Sequence, residues 1–453
     1  MTAAAAALLQ QGGNAFDAVV AGAFASAVAE PLLTSLGGGG FCLVRTAAGE
    51  EVVFDFFVDT PGRGLPQPLD PPPLVPVTVR FIAADQVFHT GPGSVAVPGT
   101  LAGLVHVHRR LGRLPIADVV APAARLAADG VALNAYQHQI VELLRPILVL
   151  TPEGRQRWGP ATAGHHMADP DLAAFIGTIP GDGVERFYRG DLAEAMVAGI
   201  RHGLGILTTA DLASYRVIER EPLSTTYRGR RVLTNPPPAF GGTLVALGLS
   251  VLEARATDVD TMAVAETMVE VEERRARGGT THLSVVDDDG NAAALSMSNG
   301  EGSGFVVPGT GVMLNNMMGE DDLHPVGFHA DPPGTRVGSM MAPSILLGGD
   351  GEPPVVMGSG GSKRIRTALL QVISNIVDLG LPLPAAVDAP RVHWDGEHLQ
   401  VEPGFPAETV EALRHRFSVN EWTARDLYFG GVHAVRGEEA HGDSRRGGHS
   451  LVL

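Results

Sequence analysis

Two periods of apolar and polar alternation run through this chain, and the sharpest change between them lies near residue 280. From His282 to Asp287, apolar and β-branched residues alternate as on a half-buried strand. Asp288-Asp289-Gly290-Asn291 follow, and 291–298 alternate again as a return strand. Asp-Gly is a strong hairpin signal, because a type I′ turn needs positive φ at both central residues. With Asp289-Gly290 as the turn, Asp288 pairs with Asn291 and Thr280 falls opposite Asn299. A loop one residue different brings Ser298 opposite instead. Upstream, Arg277-Gly278-Gly279 is a flexible approach that lets the backbone bend at the 279–280 peptide.

The same reading predicts helices and strands along the rest of the chain. Asn14 is expected to cap a helix over 15–30 that Pro31 ends, and 41–45 and 51–57 read as paired strands. Thr100 is expected to cap a helix over 101–111. Further helices are predicted at 115–129, at 135–145 (capped by Asn134, stopped by Pro146) and at 191–202. Arg228 to Leu233 reads as a strand, 244–255 and 262–277 as helices. Strands at 344–347 and 354–357 precede a helix over 364–379, and 431–436 with 448–453 form a last strand pair. Periodicity alone yields a mixture of α and β.

Composition narrows the classes. At 453 residues, 45% of them hydrophobic, the chain can bury a large core. Its 50 acidic against 33 basic residues argue against nucleic-acid binding. A single cysteine, Cys42, excludes an intrachain disulfide and a CxxC site. The start lacks the basic region of a signal peptide, and no apolar run reaches the roughly 20 residues of a membrane span. The expectation is a cytoplasmic protein without membrane contact, whose start could be truncated.

Histidines form no metal set. His165 and His166 are adjacent, and His106 and His108 point apart on a helix. The chemistry suggested by the hairpin needs neither metal nor cofactor. A threonine hydroxyl is a weak nucleophile unless a base stands beside it. A free α-amino group on the same residue, with a pKa near neutrality, can be that base. It becomes free when the chain is cut between Gly279 and Thr280. A Thr-rich hairpin with a polar tip is the plain alternative.

Motifs along nearly the whole chain decide between these. TTHLSVVDDDGNAAAL and SGFVVPGTGVMLNN, together with GGNAFDAVVAGAFASAVAEP, SLGGGGF, SVAVPGTLAGL, FYRGDLAEAM, LTTADLASYRVIEREPL, NPPPAFGGT and GSGGSKRIRTALLQ, occur in collinear order. Together they resemble the γ-glutamyltransferase family of N-terminal nucleophile hydrolases. The resemblance implies an α+β fold, a four-layer αββα sandwich. It also implies self-cleavage into a large-subunit region, 1–279, and a small-subunit region, 280–453, as one intertwined unit. Thr280 would be the nucleophile and its amine the base. Ser298, where threonine is usual, would hydrogen-bond it beside Asn299. Gly360 and Gly361 would supply the oxyanion N–H groups, although the usual preceding proline is missing and the pair can shift by one residue. Asn316 with Glu320 or Asp322 would hold the substrate α-amino group.

The carboxylate end departs from the family pattern. Ser339 remains from a serine pair, but Met340 replaces the second serine, and Phe57 stands where the pattern carries an arginine; Arg63 is near but off the motif. An Arg–carboxylate fork is a strong, oriented contact, and its loss is consequential. The family reading is an acyl-threonine amide hydrolase or transpeptidase working on a small-molecule amide or peptide. The alternatives are an acylase for a non-γ-glutamyl amide, or an uncleaved, inactive relative acting as a binding protein. The mature protein is expected to be a heterodimer of its own two fragments, which could associate further. His282 reads as a structural partner rather than a base.

Overall fold

Asn14 starts the first long helix as its sequence demands. Its Oδ1 accepts the N–H groups of Phe16 and Asp17, both at 3.0 Å, and Asp17 returns a bond to Asn14 N, also 3.0 Å. The computed structural model describes residues 1–67, 70–80, 85–255, 258–272, 281–324, 326–349 and 351–453. It divides into two units, each discontinuous in sequence. One comprises 1–41, 54–219 and 297–337; the other comprises 42–53, 220–296 and 338–453. Each unit draws residues from both sides of the 279–280 bond.

In chain order, the elements that frame the site begin with α1 (Ala15–Ala29), β1 (Gly39–Arg45), β2 (Glu51–Phe56) and α2 (Thr100–Leu111). They continue with β3 (Ile218–Arg220), β4 (Leu223–Tyr227), β5 (Arg230–Thr234), α3 (Phe240–Arg255), α4 (Thr261–Glu272), β6 (Thr281–Val286) and β7 (Ala292–Ser298). Then come β8 (Ser344–Leu346), β9 (Val355–Gly360), α5 (Arg364–Val377), β10 (Gly431–Arg436) and β11 (Glu439–His441). One sheet has the order β6-β7-β1-β2-β3 and another the order β11-β10-β9-β8-β5-β4.

Within the second unit the layers are helix, sheet, sheet. Helices α3 and α5 cover the six-stranded sheet, with α4 packed on α3, and β6 packs on β9 and β10. Val245, Leu249, Leu369, Val372 and Ile373 of the helices meet Val232, Leu346, Met357 and Val432 of the strands in one buried cluster. Removing this apolar surface from water is the main stabilising term. Registers are fixed throughout: Ile345 pairs with Leu233 and Val356, Gly358 with His433, and Gly360 with Gly431. In the first unit, α1 packs on α2, and the His106 ring meets Phe54 edge-on at 5.7 Å.

Several expected boundaries move for identifiable reasons. Thr100 is not a cap but the first helical residue, because the N–H groups of Gly99 and Thr100 both bond the Gly38 carbonyl, at 2.8 and 3.0 Å. The helix capped by Asn134 is not stopped by Pro146 but runs through it to Leu148. Arg228 and Gly229 form the β4–β5 turn, with φ of 48° and 77°, rather than the start of a strand. β10 pairs with β11, and 448–453 form no strand. The helix expected at 262–277 is described to Glu272; positions 273–280 lie outside the described residues. No described helix is long and apolar enough to cross a membrane.

Candidate active site

The hairpin tip sets the geometry that follows from it. Gly290 N–H donates to the Asp287 carbonyl at 3.0 Å, and Asp287 N–H donates to the Asn291 carbonyl at 3.1 Å. Only Gly290, φ 88°, has positive φ in this turn. The loop is therefore three residues, a type I turn closed by a left-handed glycine, and not the two-residue type I′ turn expected from Asp-Gly. Asp287 also clamps Asn291 through its side chain, accepting from Asn291 N at 2.9 Å and Nδ2 at 2.8 Å. These bonds hold Asp287 against Asn291, whereas the two-residue turn pairs Asp288 with it. The register is the one-residue alternative, and His282 Nδ1 lies 2.8 Å from Ser296 Oγ.

His282 is buried and fully bonded. Its Nε2 is 2.9 Å from Ser284 Oγ, and that hydroxyl donates to the His433 carbonyl at 3.1 Å. Burial, reinforced by His433, pushes the His282 pKa well below the ordinary value of 6.5, so the ring is neutral.

Beside it, β9 ends in Gly360 and turns into α5. Gly361 adopts φ 121° and Ser362 φ 54°, and Arg364 N–H bonds the Gly361 carbonyl at 3.0 Å. Ser359 Oγ donates to the Gly360 carbonyl (3.0 Å) and accepts Gly431 N–H (3.2 Å). A Cβ on Gly361 would lie 3.0 Å from Gly430 Cα and 3.1 Å from Arg446 Nη2. Arg446 thus places a guanidinium against this glycine turn, a neighbour the sequence reading missed; nothing in its RRGG context marked it. Ser339 is buried, its Oγ accepting Met341 N–H at 3.2 Å. Met340 is fully buried and belongs to the apolar cluster that also holds Val245, Leu249 and Leu369.

In the first unit, the end of β7 leads into a tight polar turn. Ser298 Oγ accepts Gly300 N–H at 2.8 Å, and Asn299 Nδ2 donates to the Leu314 carbonyl at 3.4 Å. Asn299 Oδ1 is buried and has no hydrogen-bond partner among the described residues. Asn316 Oδ1 accepts from Glu301 N (2.8 Å) and Gly302 N (3.1 Å), and its Nδ2 reaches the His89 carbonyl and Glu301 Oε2, both at 3.2 Å. Gly300, φ 63°, has no room for a side chain: a Cβ would lie 2.0 Å from Asn316 Oδ1 and 2.5 Å from Glu320 Oε1. Ser298, Asn299, Asn316 and Glu320 are thereby brought together, and Asp322 is buried in the same segment. Asn315 holds Gly37 and Ala96 through its amide, an internal brace.

Phe57 is 1% exposed and stacks on Phe41 with ring centroids 5.4 Å apart. Around it, Arg336 donates from Nη1 to Asp55 Oδ1 and from Nε to Asp59 Oδ1, each at 2.6 Å, and lies 5.1 Å from the Tyr215 ring. Burial pushes the Asp59 carboxyl up, against the pull of Arg336. The sequence reading missed Arg336 because its partners lie some 280 positions earlier. Arg63 is exposed, with Nη2 3.4 Å from the Gly334 carbonyl. No group of three His, Cys, Asp or Glu among the described residues could hold a metal. Gly279 and Thr280 lie outside the described residues.

Comparison with known proteins places this architecture. The family profile described as Gamma-glutamyltranspeptidase matches residues 1–274 and 257–453. The chain is 30% identical to the glutathione hydrolase proenzyme of Escherichia coli (strain K12), over 90% of this chain and 82% of that one. It is 32% identical to the acylase ACY 1 proenzyme of Pseudomonas sp. (strain V22), over 91% and 84%. Among solved structures, the cephalosporin acylase from Bacillus halodurans superposes with a TM-score of 0.81 at 27% identity, covering 98% of this chain and 92% of that one. The α+β architecture is that of the N-terminal nucleophile hydrolases. Matched along its length by the family profile and by these relatives over nine-tenths of it, the chain belongs to the γ-glutamyltranspeptidase family.

Proposed function

We propose that the chain is an autoprocessing amide hydrolase and transpeptidase in which Thr280 is the nucleophile. The observation that carries this reading is the match of the γ-glutamyltranspeptidase profile along the chain, with relatives that are glutathione hydrolase and acylase proenzymes. The described hairpin that follows, with Asp287 against Asn291 and His282 against Ser296, supports it. In maturation the Thr280 hydroxyl attacks the Gly279 carbonyl, the 279–280 C–N bond breaks, and the amine departs with the hydroxyl proton. Water then hydrolyses the ester, leaving fragments 1–279 and 280–453 as a heterodimer.

In turnover the freed α-amine takes the proton of the Thr280 hydroxyl as its oxygen attacks a substrate amide carbonyl. The oxyanion is stabilised by backbone N–H groups at Gly360 and Gly361. The adjacent start of α5 adds the positive end of a helix dipole. The leaving amine departs with the proton, and water or an acceptor amine resolves the acyl-threonine ester. Ser298 orients the hydroxyl, and Asn299, Asn316, Glu320 and Asp322 face the substrate's polar end. Asn299 supports this with its Oδ1, which has no partner among the described residues; Asn316, whose amide is already bonded to Glu301, Gly302 and His89, acts by shaping the turn.

A second reading is favoured for the acyl group. Phe57 and Met340 are both core residues, so two of the three expected carboxylate contacts are absent. That fits an acyl group without an α-carboxylate, and the relatives include proteins named acylases as well as glutathione hydrolases. A denaturing gel with N-terminal sequencing of the smaller band tests the reading. A single uncleaved band, inactive on amides, defeats it.

A further inference from the structure

The TTH run contains a third residue whose placement is more demanding than a hairpin needs. Ser284 Oγ uses its proton on the His433 carbonyl, 3.1 Å away, so the ring must supply the proton of the 2.9 Å contact to that hydroxyl. His282 is therefore the Nε2–H tautomer, and Nδ1 accepts from Ser296 at 2.8 Å. The ring also lies flat against the backbone of Gly358: a Cβ there would be 2.3 Å from both Cε1 and Nδ1. Gly358 pairs with His433 in the β9–β10 ladder, two residues before Gly360. One imidazole thus touches β6, β7, β9 and, through Ser284, β10.

We propose that His282 is a positioning residue for the reaction. It locks β6, which begins one residue after Thr280, to β9, which ends in the oxyanion glycine. The inference rests on the function proposed above. His282 makes no proton transfer: its two nitrogens are occupied by Ser296 and Ser284, while Asp443, Arg446, Arg391 and His441 act on its neighbour His433. A displacement of about 1 Å between nucleophile and oxyanion donors costs up to about a hundredfold in rate, so the clasp acts on turnover rather than on substrate affinity.

The test uses the matured enzyme. His282→Ala is expected to lower kcat by tenfold to a hundredfold (roughly, on the same geometric argument), leave KM within about twofold, and leave the acid limb of the pH–rate profile in place. Gly358→Ala, whose methyl displaces the ring, should lose as much. The double variant should lose no more than either single one, since both break one contact. Ser284→Ala removes one hydroxyl without a cavity in the backbone contact and should lower kcat in the same direction; it decides the matter if His282→Ala fails to mature. Loss of the acid limb, losses that multiply in the double variant, an effect on KM alone, or an unchanged kcat in Ser284→Ala would each overturn the proposal. Cleavage of the native chain and its absence in Thr280→Ala test the underlying function separately.

Discussion

Asp287 donates its backbone N–H to the Asn291 carbonyl across a three-residue turn, and this bond sets the register of the described hairpin. At the end of its return strand the Ser298 hydroxyl accepts Gly300 N–H. Thr280→Ala is expected to remain one chain, because no hydroxyl attacks the Gly279 carbonyl. Thr280→Ser should still mature. Gel mobility and N-terminal sequencing read both outcomes, and maturation of Thr280→Ala at this bond removes Thr280 from its role.

Ser298→Ala tests the residue proposed to orient the nucleophile. If its hydroxyl orients that of Thr280, the contact matters most in the transition state, and kcat falls while KM is little changed. One hydrogen bond of about 1.4 kcal/mol corresponds to roughly tenfold. Steady-state kinetics distinguishes this from a binding role, which would raise KM alone.

Arg336 is expected to be a structural keystone. Its side chain is 7% exposed and neutralises Asp55, which is fully buried, as well as Asp59. Arg336→Met leaves both carboxylates without their cation, and breaking such a buried pair costs roughly 3–5 kcal/mol. Denaturant unfolding should show this loss; a midpoint equal to that of the native protein would mean that water already solvates the pair.

The sequence carried the architecture far and the fine geometry less well. Collinear motifs and the Asn14 capping box fixed family and helix starts, because local hydrogen bonds and spacing encode them. The Asp-Gly signal leaves the hairpin loop open by one residue, and the clamp of Asp287 on Asn291, which that signal does not reveal, accompanies the longer loop. Arg336 with Asp55, and Arg446 beside Gly361, arise from residues distant in sequence, which no local pattern joins. Met340 reads as a lost hydroxyl in the motif, but only the packing shows it committed to the core.

Acid should destabilise the protein between pH 6.5 and about 4. Burial pushes His433 down to about 4 and holds His282 well below its ordinary 6.5. Unfolded, both rings bind protons as the pH falls below 6.5; folded, they do not until far lower. The unfolded chain therefore binds more protons in this window, and stability present above 6.5 is lost on acidification. Asp443, held down to about 2 by Arg391 and Arg445 against the cost of burial, keeps its contribution until below pH 4 and does not offset the loss. Melting temperature measured from pH 7.5 to 4.5 should fall; a flat profile would show that these rings are solvated.

The substrate prediction rests on Phe57. A γ-glutamyl group brings an α-carboxylate that must be desolvated in the pocket, which is costly without donors. Phe57 is stacked on Phe41 in the core, and Met340 is equally committed. Ser339 is buried, and its Oγ already accepts Met341 N–H. A charge-assisted contact is worth about 1.5–3 kcal/mol, or roughly one to two decades of affinity. We expect kcat/KM for an acyl anilide lacking the α-carboxylate to exceed that for a γ-glutamyl anilide by at least that margin. Phe57→Arg should not restore the γ-glutamyl activity, because a guanidinium there would be buried against Phe41, and Asp55, which accepts the N–H of residue 57 at 3.0 Å, is already paired with Arg336; the variant should instead lose stability. A strong preference of the native enzyme for the γ-glutamyl anilide would mean that another cation holds the carboxylate, and Arg63→Ala and Arg446→Ala, compared on that substrate, would identify which.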